Sequence, residues 1–243
     1  MQAEPAWWDL KAGVVKVIKL IREASANGAE LIGFPESFIP GYPMRIWAHP
    51  FDPFFLTKFQ KNCLDVQSDE FKEILAATKE AGIWQVVVSL VVHNTYRLFG
   101  RVVLGFAERE GGSMYAAQTI INPDGVVVLH RRKLKATGQE RTIWGDAPAD
   151  SLQTAVKGPG GAIIGTLNCW EHLQPLLRYH HYSLGVQIHV SSWPFCDSVT
   201  DGAPPQFSSD AQIIQSRMTA LEGQTFVLSC TQVCSKNNLA LCG

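Results

Sequence analysis

Amphipathic segments of helical period alternate along this chain with short, almost wholly apolar runs, and few architectures accept that order. Behind the N-cap residue Asp9, Leu10, Val14, Val17, Ile18 and Ile21 recur on one helical face, and the pattern stops near Asn27-Gly28. A second helix is predicted from about Ser68, with Phe71, Ile74, Leu75 and Thr78 on its inner face and Gly82 at its end. Two more are predicted at about 174–184 and 209–222, the latter directing Ile213, Ile214, Met218 and Leu221 inward. Between them lie strand-like runs at 30–34, 83–92, 102–107, 162–167, 186–190 and 225–229. The segments 115–122 and 126–130, split by Pro123-Asp124-Gly125, read as a hairpin. Strands apolar on both faces need cover on both sides, so the pattern predicts an α/β fold with helices layered over sheets.

A chain of 243 residues buries roughly 70% of its unfolded surface, enough for one core. Without repeats, low-complexity tracts or a linker, residues 1–243 read as a single domain. A net charge of −1 provides no footprint for nucleic acid, and the densest basic run, His130 to Lys135, is short and interrupted. The longest apolar stretch, Val86 to Val92, holds seven residues, against the ~20 needed to span a bilayer. No basic segment followed by an apolar one opens the chain, which argues against a secretory leader and for a cytoplasmic protein. Six cysteines are too sparse for a disulfide scaffold and read as reduced thiols; none has zinc-ligand spacing, so no metal is expected.

In open α/β sheets, functional groups collect where strands end, and three candidates sit at such ends. Cys169 follows the strand 162–167, where a sharp turn would present its sulfur to a pocket; most free cysteines are instead buried and inert. No histidine spacing selects a partner base: His180 and His181 fall in mid-helix and His189 in a strand, where solvated or hydrogen-bonded roles are commoner. A carboxylate serves as base where its surroundings raise its pKa, and Glu36, after the apolar Phe34-Pro35, fits that description. Its plainer reading is a loop carboxylate. Lys133 is either a solvated basic turn or a fixed cation facing charge that develops on a substrate. Glu140, seven positions on, is placed to orient it or relay a proton.

Three segments taken together resemble the nitrilase branch of the carbon–nitrogen hydrolase superfamily. They are Phe34-Pro35-Glu36-Ser37-Phe38 running to Pro43, His130-Arg131-Arg132-Lys133-Leu134 running to Asp146, and Leu167-Asn168-Cys169-Trp170-Glu171-His172. Shorter stretches support them at 2–5, 105–109 and 220–227. The resemblance implies a four-layer αββα sandwich, no metal or organic cofactor, and a small-molecule nitrile as substrate. It makes Glu36 the general base, Lys133 the cationic stabiliser, Cys169 the nucleophile and Glu140 the second glutamate of the site. Lys135 competes with Lys133, but the Arg-Arg-Lys-Leu match favours Lys133. Tyr42, Trp144, Trp170 and Trp193 fall where similar enzymes line the substrate pocket. Cys169-Trp170-Glu171 points to nitrilases over amidases and carbamoylases, and His172 to nitrilases over cyanide hydratases, in which Asn is more usual. The family's habit of pairing and forming spirals implies a homo-oligomer.

The chain also departs from that pattern. Gln85 to Arg101 reads as an apolar insertion between a helix and a strand, opposite the strand ends that carry the candidates. Almost nothing precedes Gln2, where the family has an opening strand, and Cys234 to Gly243 does not resemble its closing strands. The expectation is therefore a domain cut at both ends, for which a non-catalytic relative is the competing reading. Ala136 stands where a proline is usual and Gly138 where a histidine is common.

Overall fold

A computed structural model describes residues 1–82, 101–158, 161–194 and 208–242. The strand expected at 83–92, and all of the expected insertion except Arg101, lie outside the described residues.

The first helix, α1 (Leu10–Ala26), starts where Asp9 accepts the N–H of Ala12 at 2.9 Å and buries Gly13, Val14, Val17 and Ile21. A short helix that the periodicity did not reveal, α2 (Pro53–Asn62), follows Asp52, whose carboxylate accepts the N–H groups of Phe54 and Phe55. The Asp52-Pro53 pair was the signal, since proline suits the first helical position. Helix α3 (Asp69–Ala81) is capped by Ser68, buries Phe71, Ile74, Ala77 and Thr78, and ends at Gly82 in the left-handed conformation.

Among the described residues, two sheets form. One has the order β2-β3-β4-β5, built from β2 (Leu31–Gly33), β3 (Arg101–Glu110), β4 (Ser113–Ile121) and β5 (Val127–Arg132). The other has the order β1-β9-β8-β7-β6, from β1 (Gln2–Ala3), β6 (Ala155–Lys157), β7 (Ile163–Asn168), β8 (Ile188–Ser192) and β9 (Phe226–Gln232). Helices α1 and α3 pack on the first sheet through Val14, Val17, Ile21, Phe71 and Ile74 against Ile32, Val102 and Leu104. The sheets meet through Val103, Ile120 and Leu129 on one side and Ile164, Val190 and Cys230 on the other. Helices α4 (Pro175–Ser183) and α5 (Ser209–Gly223) cover the outer face of the second sheet. The result is an αββα sandwich.

Helix α5 corrects one expectation. Its buried residues are Gln212, Ser216 and Thr219, while Ile213, Ile214, Met218 and Leu221 are 44%, 57%, 41% and 76% exposed. The physical reason is polar pairing: Gln212 Nε2 donates to Ser229 Oγ at 3.0 Å and Ser216 Oγ lies 3.4 Å from the same oxygen. A second correction concerns the cysteines. Cys63, Cys169 and Cys230 are not in disulfides, but Cys234 is disulfide-bonded, so the thiols are not uniformly reduced. A disulfide needs Cα atoms within about 7 Å, a proximity that spacing along a chain does not reveal.

Strand direction places the candidates on one edge. Strand β2 runs parallel to β3, and β5, two antiparallel steps further on, runs the same way. Strands β1, β9, β8 and β7 are mutually parallel. Glu36 leaves β2, Lys133 leaves β5 and Cys169 leaves β7.

Candidate active site

Each functional side chain leaves its strand through a turn that the local sequence fixes. After β2, the Phe34 N–H donates to Val103 O at 2.8 Å and the Phe38 N–H to Gly105 O at 2.9 Å, so 34–38 stay pinned to β3. Gly105 is required there: a Cβ at that position would collide with the carbonyl oxygen of Pro35. Ser37, beside Glu36, takes φ 49°, and Cys169, the first residue beyond β7, takes φ 45°. Left-handed backbone at non-glycine residues is costly and persists where surrounding contacts impose it. The Lys133 N–H is held by Ala116 O at 2.7 Å.

The four side chains converge. Lys133 Nζ donates to Glu36 Oε1 at 2.9 Å and to Glu140 at 2.8 and 3.1 Å. Carboxylate oxygens of Glu36 and Glu140 and the sulfur of Cys169 lie within 4.8 Å of one another. All four residues are buried. These three acceptors are also the one donor group among the described residues with the proximity to hold a metal ion. The Lys133 ammonium already bonds both carboxylates, so the cationic position between them is taken by protein.

Burial raises the Glu36 pKa to about 7; the Lys133 ammonium opposes that rise and the Glu140 charge adds to it. Burial alone would depress Lys133, but Glu140 and Glu36 lift it well above the ordinary lysine value, so it stays cationic. One oxygen of Glu36, Oε2, makes no hydrogen bond. A carboxylate with an open lone pair and a pKa near neutrality is equipped to take a proton.

Glu140 is fixed from three sides. Tyr42 donates its hydroxyl to Oε1 at 2.7 Å, the Thr137 N–H donates to Oε2 at 2.7 Å, and Lys133 occupies the rest. Trp47 Nε1 donates to the Tyr42 hydroxyl oxygen at 3.2 Å; no sequence signal marked Trp47. Trp144 packs edge-on to Tyr42 with centroids 5.7 Å apart. Trp193, just past β8, is buried and stacks on His172 at 4.9 Å. Trp170 is half-buried in the turn that opens at Cys169. The four aromatics therefore divide into a pair against Glu140 and a pair beside the Cys169 turn. Lys135, the competing lysine, is exposed and pairs with Asp146.

Glu171 ties the two halves of the site together. It accepts from Arg131 at 2.6 and 2.8 Å, from the Leu134 N–H at 3.1 Å and from the Asn168 N–H at 2.9 Å. One buried carboxylate thus holds the residue after Lys133 and the residue before Cys169. Burial would raise its pKa, yet Arg131 and the two backbone donors bring it below the ordinary carboxylate value.

This sandwich and this cluster of one thiol, one ammonium and two carboxylates define a class of hydrolases that act on carbon–nitrogen bonds through a covalent thiol adduct. The carbon–nitrogen hydrolase family profile matches residues 1–243, and the chain belongs to that family. Within it the likeness falls in the nitrilase branch: a nitrilase of Penicillium rubens is 46% identical over 244 residues, covering 98% of this chain and 69% of that protein. A cyanide hydratase of Armillaria gallica is 43% identical over 239 residues, covering 97% of this chain and 62% of that protein. Among solved structures, an amidase from Nesterenkonia sp. superposes with a TM-score of 0.65 at 16% identity, covering 96% of this chain and 74% of that one. Among the described residues, no helix is long and apolar enough to cross a membrane.

Proposed function

We propose that residues 1–243 act as one nitrilase domain converting an organic nitrile and two waters into a carboxylic acid and ammonia. The observation that carries this reading is the buried meeting of Glu36, Lys133, Glu140 and Cys169. Glu36, with an open Oε2, takes the proton of the Cys169 thiol, and the thiolate attacks the nitrile carbon. Negative charge gathers on nitrogen, where the Lys133 ammonium stabilises it and a proton is returned, giving a thioimidate. The first water adds to that carbon and ammonia leaves, so a thioester remains. Glu36 then activates the second water, and the acid departs as the thiol is restored. Glu140 keeps Lys133 charged and oriented, and Tyr42 and Thr137 keep Glu140 in place.

The relatives support nitriles over amides, because proteins bearing nitrilase and cyanide hydratase names share more than 40% of their residues with this chain. Between those two, buried Tyr42, Trp144 and Trp193 favour an organic side chain over cyanide, which carries none. Supplying an arylacetonitrile, the matching amide and cyanide separately, and assaying ammonia, acid and formamide, tests the reading. Formamide from cyanide, with no acid from the nitrile, would replace it with cyanide hydration. The proposal includes self-association, for which Leu176, Tyr179, Ile214 and Leu221 offer an exposed apolar face on α4 and α5. Sedimentation velocity reads the oligomeric state.

A further inference from the structure

Three histidines that play no part in the scheme above are buried end to end behind the nucleophile. His172 Nδ1 lies 2.6 Å from the carbonyl oxygen of Cys169, and His172 Nε2 lies 2.8 Å from His189 Nε2. His189 Nδ1 lies 2.9 Å from His181 Nε2, and His181 Nδ1 lies 2.7 Å from Thr154 Oγ1. All four residues are fully buried. The line starts at a hydroxyl between the sheet and α4 and ends on the backbone of Cys169.

Donor and acceptor counting leaves a single arrangement. A carbonyl oxygen only accepts, so His172 must carry its hydrogen on Nδ1, and in a neutral ring Nε2 is then a bare acceptor. His189 must therefore donate from Nε2, which leaves its Nδ1 to accept from His181 Nε2–H. His181 Nδ1 is left to accept from the Thr154 hydroxyl. Ser191 Oγ accepts from Trp193 Nε1–H at 2.6 Å and lies 3.0 Å from His172 Nε2, so its hydroxyl shares that bare acceptor with His189, and His172 again carries no hydrogen on Nε2. Every hydrogen bond points the same way, from Thr154 toward Cys169. Burial is the main reason the rings stay neutral, holding His172 down to about 4, His181 to about 3 and His189 well below the ordinary histidine value.

We infer that the line Thr154–His181–His189–His172 is a positioning device for the nucleophile, with His172 holding the Cys169 carbonyl and the groups behind it fixing which nitrogen of His172 can do so. The device rests on the proposed role of Cys169. Its object is the left-handed backbone of that residue (φ 45°), a conformation that reverts unless something holds it. The same His172 ring stacks on Trp193, so one side chain sets both the sulfur's direction and a wall of the pocket. His172 and His189 touch no reacting atom in this scheme; they act through Cys169.

The test begins with nitrogen-15 NMR of the intact chain labelled at histidine. The expected pattern is Nδ1–H at His172 and Nε2–H at His189 and His181. His172 protonated on Nε2, or doubly protonated near neutral pH, would overturn the inference, and this reading needs no variant and no turnover. Next, His189→Leu removes the donor behind His172, whereas His189→Gln retains one amide donor and one amide acceptor. His189→Leu is expected to lower kcat on the order of 10- to 100-fold, with KM little changed and with slower alkylation of Cys169 by iodoacetamide. His189→Gln is expected to recover most of both rates. A folded His189→Leu chain with the parent kcat and alkylation rate would overturn the positioning role. If His189→Leu does not fold, Thr154→Val probes the line from its far end by the same readouts. Nitrile turnover surviving in Cys169→Ser would instead remove the nucleophile itself, an outcome separable from the tautomer pattern.

Discussion

Lys133 Nζ lies 2.9 Å from Glu36 Oε1, although the two residues are 97 positions apart and leave different strands of the same sheet. The pair is buried, with Glu140 on the other side of the ammonium. In the proposed scheme that arrangement gives the base, Glu36, a pKa near neutrality. With its pKa raised to about 7, kcat/KM for a nitrile is expected to rise with pH through an inflection near that value. Glu140→Gln removes a charge that lifts Glu36, so the inflection should move to lower pH while kcat falls through weaker support of Lys133. A pH–rate series on both proteins checks this; a profile flat across the neutral region would contradict the assignment of the base.

Cys169 supplies the bond-forming atom in the proposed scheme. Cys169→Ala and Cys169→Ser are each expected to reduce ammonia release by at least about 1,000-fold, with the fold intact by circular dichroism. Mass spectrometry of the parent protein quenched during turnover should show a covalent adduct, and the alanine variant should show none. Ammonia release near the parent rate in either variant would end the thiol mechanism.

Glu171 and Arg131 form a buried bidentate pair. Glu171→Gln leaves the guanidinium without its counter-charge and should cost about 3–5 kcal/mol in denaturant unfolding. The pH dependence follows from the direction of the shift. Because the folded-state pKa of Glu171 lies below its unfolded value, its contribution is present above the ordinary carboxylate range and is lost as pH falls through the folded value. Acid titration of stability should therefore be shallower in Glu171→Gln than in the parent. Equal slopes would show that the pair does not contribute in this way.

Gly105 leaves no space between β3 and the carbonyl of Pro35. Gly105→Ala should destabilise the fold by about 1–3 kcal/mol through overpacking and should lower kcat, because the displaced segment carries Glu36. Ile120→Val, in the neighbouring strand, is the control: it removes one methylene from the core between the sheets and adds no volume against Pro35. Thermal melts together with kcat separate the two effects, and a Gly105→Ala enzyme with the parent kcat would show that the close approach does not position Glu36.

The helix boundaries were legible because caps and faces are local. Asp9 and Ser68 accept N–H groups three residues ahead, and Val14, Val17 and Ile21 meet the core at the spacing that their order implies. Helix α5 was misread because Gln212 and Ser216 find a hydroxyl partner in β9, a strand whose position no local pattern reveals. Tyr42 and Trp144 were expected by resemblance, whereas Trp47 was not, since what ties it to the site is a hydrogen bond to a residue whose own role depends on Glu140.

The order of residues by itself determined where strands stop, and so that Glu36, Lys133 and Cys169 each stand just beyond a strand end. It also determined the family, through three motifs in a fixed order. The tertiary structure alone decided that those strand ends share one edge of a double sheet, that one ammonium lies between two carboxylates, and that three histidines line up behind Cys169. The physical reason is range. Caps, turns and periodicity act over a few residues and can be read along a chain, whereas desolvation and hydrogen-bond direction depend on which distant strands are packed side by side.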